Sequence, residues 1–179
     1  MPTFPVIYML IGLGIFPLFK GIKKHKNKII FQFTLAFLLI WYIISCLLAF
    51  PHYIPYYNEL AGGTEKGYKI AVDSNYDWGQ DLKRLSLFVE KNNIEKMQVL
   101  YFGQEDVSYR LKDKWSELDI SAGPQKGWIA ISAAYLTAFG GPLVKGYDDP
   151  EYFAQLSWLI KEHEPVSRAG KSIFIYYID

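Results

Sequence analysis

Between Ile29 and Phe50 the chain runs for 22 residues without a charged side chain, IIFQFTLAFLLIWYIISCLLAF. A helix rises about 1.5 Å per residue, so a run of this length covers a hydrocarbon core of about 30 Å. Its apolar residues fall on every face, and a chain of 179 residues has too little other material to wrap such a helix on all sides. The segment is therefore read as a transmembrane helix. A second uncharged run, Thr3 to Phe19 (TFPVIYMLIGLGIFPLF), sits at the short limit for a span. A cleaved signal peptide carries its positive residues ahead of the apolar stretch. Here they follow it, so a retained helix is expected.

The two runs are joined by KGIKKHKNK, Lys20 to Lys28, which holds five lysines and no acid. Lysines in short loops stay on the cytoplasmic side. The N-terminus and everything after Phe50 are then expected outside, in a multi-pass protein of the cell membrane with an extracytoplasmic C-terminal domain. Charge is divided along the same line. Those five lysines are the only charges before Pro51, which leaves 14 cationic against 18 acidic residues beyond it, a mildly acidic domain hidden under a formal net charge of +1. Such a surface cannot displace counterions from phosphates over a wide area, which sets nucleic-acid binding aside. The sole cysteine, Cys46, lies inside the second apolar run, and one thiol builds neither a disulfide nor a Cys-based metal site.

Three regions follow: a helical hairpin over 1–50 with spans at about 3–19 and 29–50, an interfacial collar and linker over 51–66, and an α/β domain over 67–179. In the collar, FPHYIPYY (Phe50 to Tyr57) combines rings with polar tips, suited to the headgroup layer, and two prolines that stop the helix. His52, Tyr56, Asn58 and Glu59 lie where a lipid headgroup or a lipid-linked sugar phosphate would pass.

Within the domain, β-rich runs alternate with amphipathic stretches. Strands are expected at Lys69–Val72, Met97–Phe102, Trp128–Ala133 and Ser172–Ile178. Helices are expected over Asp81–Lys91, with Leu82, Leu85, Phe88 and Val89 facing inward, and over Pro150–His163, with Asp149 as N-cap and Tyr152, Phe153, Leu156, Leu159 and Ile160 inward. A polar, partly helical stretch covers Glu105–Leu118, and the glycine-rich stretches around Gly123 and Gly140 read as turns. Strands alternating with helices favour a Rossmann-like, three-layer, mostly parallel sheet.

The most concentrated polar segment is DSNYDWGQDL, Asp73 to Leu82. Read as the end of a strand running into a helix, it falls at the edge where α/β sheets bind ligands. Asp73, Asn75, Asp77, Trp78, Gln80 and Asp81 are the candidate substrate-binding residues: Trp78 as a stacking face for a sugar ring, the carboxylates and amides as hydroxyl partners. Local structure accounts for part of the same pattern. Asp77 with Gln80 has the spacing of a capping box, Gly79 eases a tight turn and Asp81 opposes a helix dipole. Asp73, Asn75 and Asp77 also alternate like the first half of a calcium loop, but Trp78 and Arg84 stand where that loop needs Gly and Glu, so no metal is assigned. No HExxH, P-loop, GxGxxG or GxSxG motif occurs, the histidines are scattered, and no cofactor is called for.

Three stretches in order, FPHYIPYYNELAGG (Phe50 to Gly63), GYKIAVDSNYDWGQDLKRL (Gly67 to Leu85) and VSRAGKSIFIYYI (Val166 to Ile178), resemble the C-terminal region of bacterial membrane glycosyltransferases such as the dolichyl-phosphate-mannose protein mannosyltransferases. The resemblance spans nearly the whole chain, and DSNYDWGQDL is its most specific part. It implies a many-pass GT-C protein moving a sugar from a polyprenyl-phosphate carrier to an acceptor outside the cytoplasm. The catalytic acid of such enzymes lies in a first outer loop near the N-terminus, whereas no acidic residue precedes Glu59 here. The expectation is thus an accessory C-terminal portion without the catalytic part, a piece of a longer protein or of a split gene, with membrane lipid, a lipid-linked sugar or glycan acceptor and the catalytic transmembrane part as partners. The rival expectation is a non-enzymatic, membrane-anchored domain that binds glycan or a partner protein.

Overall fold

The computed structural model describes residues 3–22, 25–70, 72–138 and 150–179. The chain divides into two units, Met1–Leu48 and Ala49–Asp179. The first holds helices α1 (Thr3–Gly21) and α2 (His25–Ala49). α2 is long and apolar enough to cross a membrane, with a mean hydropathy of 2.2 over its best 18 residues. Phe33, Phe37, Leu38, Ile40, Ile44 and Leu47 are all exposed, whereas Ser45 and Ala49 are buried, so most of the apolar surface of this helix is left uncovered. Both helices reach into the lysine-rich loop, since Lys20 sits in the last turn of α1 and α2 begins at His25.

In the second unit α3 (Gly63–Lys66), α4 (Asp73–Tyr76) and α5 (Leu82–Lys91) precede the first strand. Then come β1 (Met97–Leu100), α6 (Val107–Leu111), β2 (Trp115–Glu117), β3 (Gly127–Ser132), α7 (Ala133–Ala138), α8 (Pro150–Glu162), β4 (Ser167–Ala169) and β5 (Ile173–Ile178). The sheet order is β2-β1-β3-β5-β4. β1 runs parallel to both β2 and β3, while β5 runs antiparallel to both β3 and β4.

Side-chain alternation along the strands creates two cores. Ile129 and Ile131 of β3 and Phe174 and Tyr176 of β5 face Tyr76, Ala134, Leu136, Leu156 and Leu159 of α4, α7 and α8. Ala130, Ile173 and Ile175 face the opposite way, joining Met97 and Val99 of β1 against Leu82, Leu85 and Val89 of α5 and Val107 and Leu111 of α6. Each aliphatic side chain fully buried in this way contributes about 1.5–3 kcal/mol. The result is an α/β unit of three layers, with the inward residues expected for α5 and, at Leu156 and Leu159, for α8. Asp149 and the turn around Gly140 lie outside the described residues, as do the side chains of Tyr152 and Phe153.

Three features depart from the sequence reading. The sheet is mixed rather than mostly parallel, because β4 and β5 form a hairpin and β5 is the strand that docks on β3. β2 and β4 are three-residue strands, too short to register as alternation. Lys69, Ile70 and Val72, read as part of a strand, are not in one. Lys69 ends a 3-10 turn (Gly67–Lys69), and the Val72 carbonyl accepts from the amides of Tyr76 and Asp77 at 2.9 and 3.3 Å, which starts a helical turn instead.

The residues read as collar and linker belong to the α/β unit. Tyr57 stacks at 6.3 Å on the buried Tyr76 ring, and the Thr64 carbonyl lies 2.7 Å from the Tyr76 hydroxyl. Glu65 pairs with Lys171 and, at 3.7 Å, with Arg168.

Candidate functional site

DSNYDWGQDL lies beside the carboxyl ends of the two longest parallel strands, though no strand of its own leads into it. Gly79 meets the chain just past β1, where a Cβ on Gly79 would stand 2.7 Å from the Phe102 carbonyl, and its φ of +76° suits glycine. The Tyr101 hydroxyl donates to the Gly79 carbonyl at 2.7 Å, and burial pushes that phenol up to about 12. Just past β3, the amide of Ala134 donates to Asp77 Oδ2 at 3.4 Å. The segment therefore occupies the edge of an α/β sheet where ligands bind, reached by a different route from the one its sequence suggests.

Two buried carboxylates shape this turn. Asp77 is fully buried, and its Oδ1 accepts from the Gly79 amide at 3.0 Å, the two-residue reach by which Asp mimics a backbone turn. Asp81 is also fully buried and precedes α5, yet its side chain does not cap that helix. Asp81 Oδ2 instead accepts from the amides of Lys171 and Ser172 at 2.8 and 2.9 Å and from the Ser172 hydroxyl at 3.0 Å. Oδ1 accepts from Arg84 Nη1 at 2.6 Å. A single carboxylate thus ties the start of α5 to the β4–β5 turn about 90 residues away.

Gln80 does not complete the expected capping box. Its Oε1 accepts from the Trp78 amide at 2.8 Å and its Nε2 donates to the Tyr76 carbonyl at 3.1 Å, so both ends hold the turn together. With Asp77, Asp81 and Gln80 engaged internally, the exposed residues among those of the segment whose side chains are described are Asn75 and Trp78, the latter 60 % exposed; the side chain of Asp73 lies outside those described. Asp73 opens α4.

Of the collar residues, Asn58 and Glu59 shape a local turn. Asn58 Oδ1 accepts from the Ala61 amide at 3.0 Å, and the Tyr56 hydroxyl donates to Glu59 Oε1 at 3.0 Å. His52 is half-buried, and burial, reinforced by the nearby Arg84 guanidinium, lowers its pKa below the usual histidine range. It lies beside a cluster that sequence inspection did not single out: Arg84, Arg168, Lys171 and Glu65. Arg168 lies over the Phe174 ring at 4.1 Å and the Tyr68 ring at 5.1 Å. These residues are far apart in the chain, and only the hairpin brings them together. Among the described residues, no three His, Cys, Asp or Glu side chains converge as a metal site.

Burial pushes the Asp77 carboxyl up to about 6, and the charge of Asp81 adds to that shift. The unfolded chain loses this proton near the ordinary value of 3.8 while the folded protein holds it until about 6. The folded state therefore binds more protons between these limits. The stabilising contribution is complete below about pH 4 and is lost as pH rises through 6. Asp77→Asn keeps an acceptor for the Gly79 amide and removes the buried charge. Relative to the unsubstituted protein, the variant is expected to gain about 2–3 kcal/mol between pH 4 and pH 7. Denaturation at both pH values checks this, and a constant difference between the two proteins would refute it.

Comparison of the chain with protein-family models, curated proteins and solved structures found no match.

Proposed function

We propose that this chain is the C-terminal accessory portion of a membrane glycosyltransferase that uses a lipid-linked sugar donor. α1 and α2 are two spans, the lysines between them stay cytoplasmic, and the α/β unit stands outside and holds the acceptor or carrier while chemistry takes place in a separate catalytic part. The observation that carries this reading is the position of Trp78. An indole 60 % exposed, on a turn stiffened by two buried carboxylates at the carboxyl edge of the sheet, offers a flat stacking face on a rigid base. The resemblance of the three stretches Phe50 to Gly63, Gly67 to Leu85 and Val166 to Ile178 supplies the donor class.

The test is sugar transfer from a polyprenyl-phosphate donor. This chain alone is expected to show none, and the chain joined to a catalytic transmembrane part is expected to be active. In that active form Trp78→Ala is expected to lower transfer about tenfold, corresponding to roughly 1.4 kcal/mol, while leaving stability within about 0.5 kcal/mol. Turnover by these 179 residues alone, or an unaffected Trp78 variant, would remove the proposal.

A second reading, a non-enzymatic membrane-anchored domain that binds glycan or a partner protein, is favoured by one observation. Asp77 and Asp81, two acids of the segment, both spend their oxygens on the protein's own donors. Glycan binding by the intact chain with no dependence on a donor would select this reading.

A further inference from the structure

Immediately after α2 the structure leaves several large apolar side chains uncovered within eleven residues: Phe50 at 68 % exposure, Tyr53 at 57 %, Ile54 at 49 % and Leu60 at 98 %. A single exposed leucine is unremarkable on a protein surface. Leu60 differs in that its backbone is held in place. It sits in a 3-10 turn (Glu59–Ala61) whose first end is capped by the Asn58 side chain and whose last end closes on Gly62 at φ +86°. The Gly62 and Gly63 amides return to the Glu59 and Asn58 carbonyls at 3.1 Å each. Tyr56 and Glu59 brace the same turn by their 3.0 Å hydrogen bond. These hydrogen bonds fix a loop that holds a leucine almost entirely outside the protein.

We infer that this loop is a membrane-contacting tip, with Leu60 inserted into the headgroup and acyl boundary of the bilayer that α2 crosses. The inference rests on the reading of α2 as a span. Continuity names the occupant: the bilayer surface is where α2 ends, at Ala49, and Phe50, Tyr53 and Ile54 follow at once. Phe50 and Ile54 suit the apolar side of the interface, and Tyr53 adds a ring whose hydroxyl meets water. Lys66 and Lys69, both exposed a few residues on, supply cations for anionic headgroups. An apolar side chain on a fixed turn gains the transfer free energy of its buried surface without first having to be ordered, and interfacial segments reach about 5–10 Å below the surface in this way.

The full chain carrying Cys46→Ser and one new cysteine, labelled with an environment-sensitive fluorophore, tests this in phosphatidylethanolamine/phosphatidylglycerol vesicles containing spin-labelled lipids. Leu60→Cys is compared with Phe37→Cys within α2 and with Tyr109→Cys on α6, where the parent side chain is 75 % exposed. The expected result is a label at position 60 that is blue-shifted and quenched by shallow spin labels, one at 37 quenched by deep labels, and one at 109 quenched by neither. A label at 60 that behaves like the one at 109, while 37 is quenched, overturns the inference and leaves the span intact. Loss of quenching at both 60 and 37 overturns the span reading with it. A blue shift at 60 without lipid quenching also overturns the inference, because a second copy or another protein would then cover the loop.

Discussion

Replacing Asp81 by alanine is expected to cost the α/β unit about 3–5 kcal/mol, the loss typical of breaking a buried, hydrogen-bonded charge constellation. The side chain is fully buried and takes four hydrogen bonds, from Arg84, the Lys171 and Ser172 amides and the Ser172 hydroxyl. Each backbone donor left without a partner adds about 1–3 kcal/mol. Arg84→Ala removes the other end of the ion pair, but the Arg84 side chain is 37 % exposed and solvent weakens its attraction. About 1 kcal/mol or less is expected there. Chemical denaturation of the detergent-solubilised protein separates the two, and amide exchange at Lys171 and Ser172 should quicken only in the Asp81 variant. Equal losses from both substitutions would mean that Asp81 acts through Arg84 rather than through the hairpin.

Gly170→Ala is expected to be comparably severe, at about 3–5 kcal/mol, from left-handed backbone strain and steric overlap together. Gly170 has a φ of +62°, and a Cβ there would overlap the Asp81 carboxyl group. Because the obstacle is the side chain of Asp81 itself, the two substitutions should not add. Asp81→Ala makes room for the new methyl group, so the double variant should lose markedly less than the sum of the single losses. Full additivity would show that the hairpin turn and the start of α5 do not share a contact.

The elements that sequence inspection identified are those whose packing follows a local period. α5 buries Leu82, Leu85 and Val89 at helical spacing, and β3 and β5 are apolar on both faces because helices cover both sides. Lys69–Val72 misled because β-branched content alone does not make a strand. Ile70 is exposed and Val72 is buried against α4 and α7 partners, with its carbonyl committed to a helical turn. The candidate site was legible as a location and partly illegible as chemistry. Its concentration of polar residues coincides with a turn at the carboxyl edge of the parallel strands, but nothing near Asp81 in sequence announces that its partners are Lys171 and Ser172. The same distance in sequence concealed the grouping of Arg84, Arg168 and Lys171 with Glu65, since contributions from α3, α5 and the hairpin meet only in the folded unit.

Among the described residues the sheet finishes on each side with a strand of only three residues, β2 and β4. Rims this narrow leave few open backbone groups on which a foreign strand could grow. Crowded side by side, neighbouring copies would find little to zip onto, and high local density need not end in fibrous aggregation.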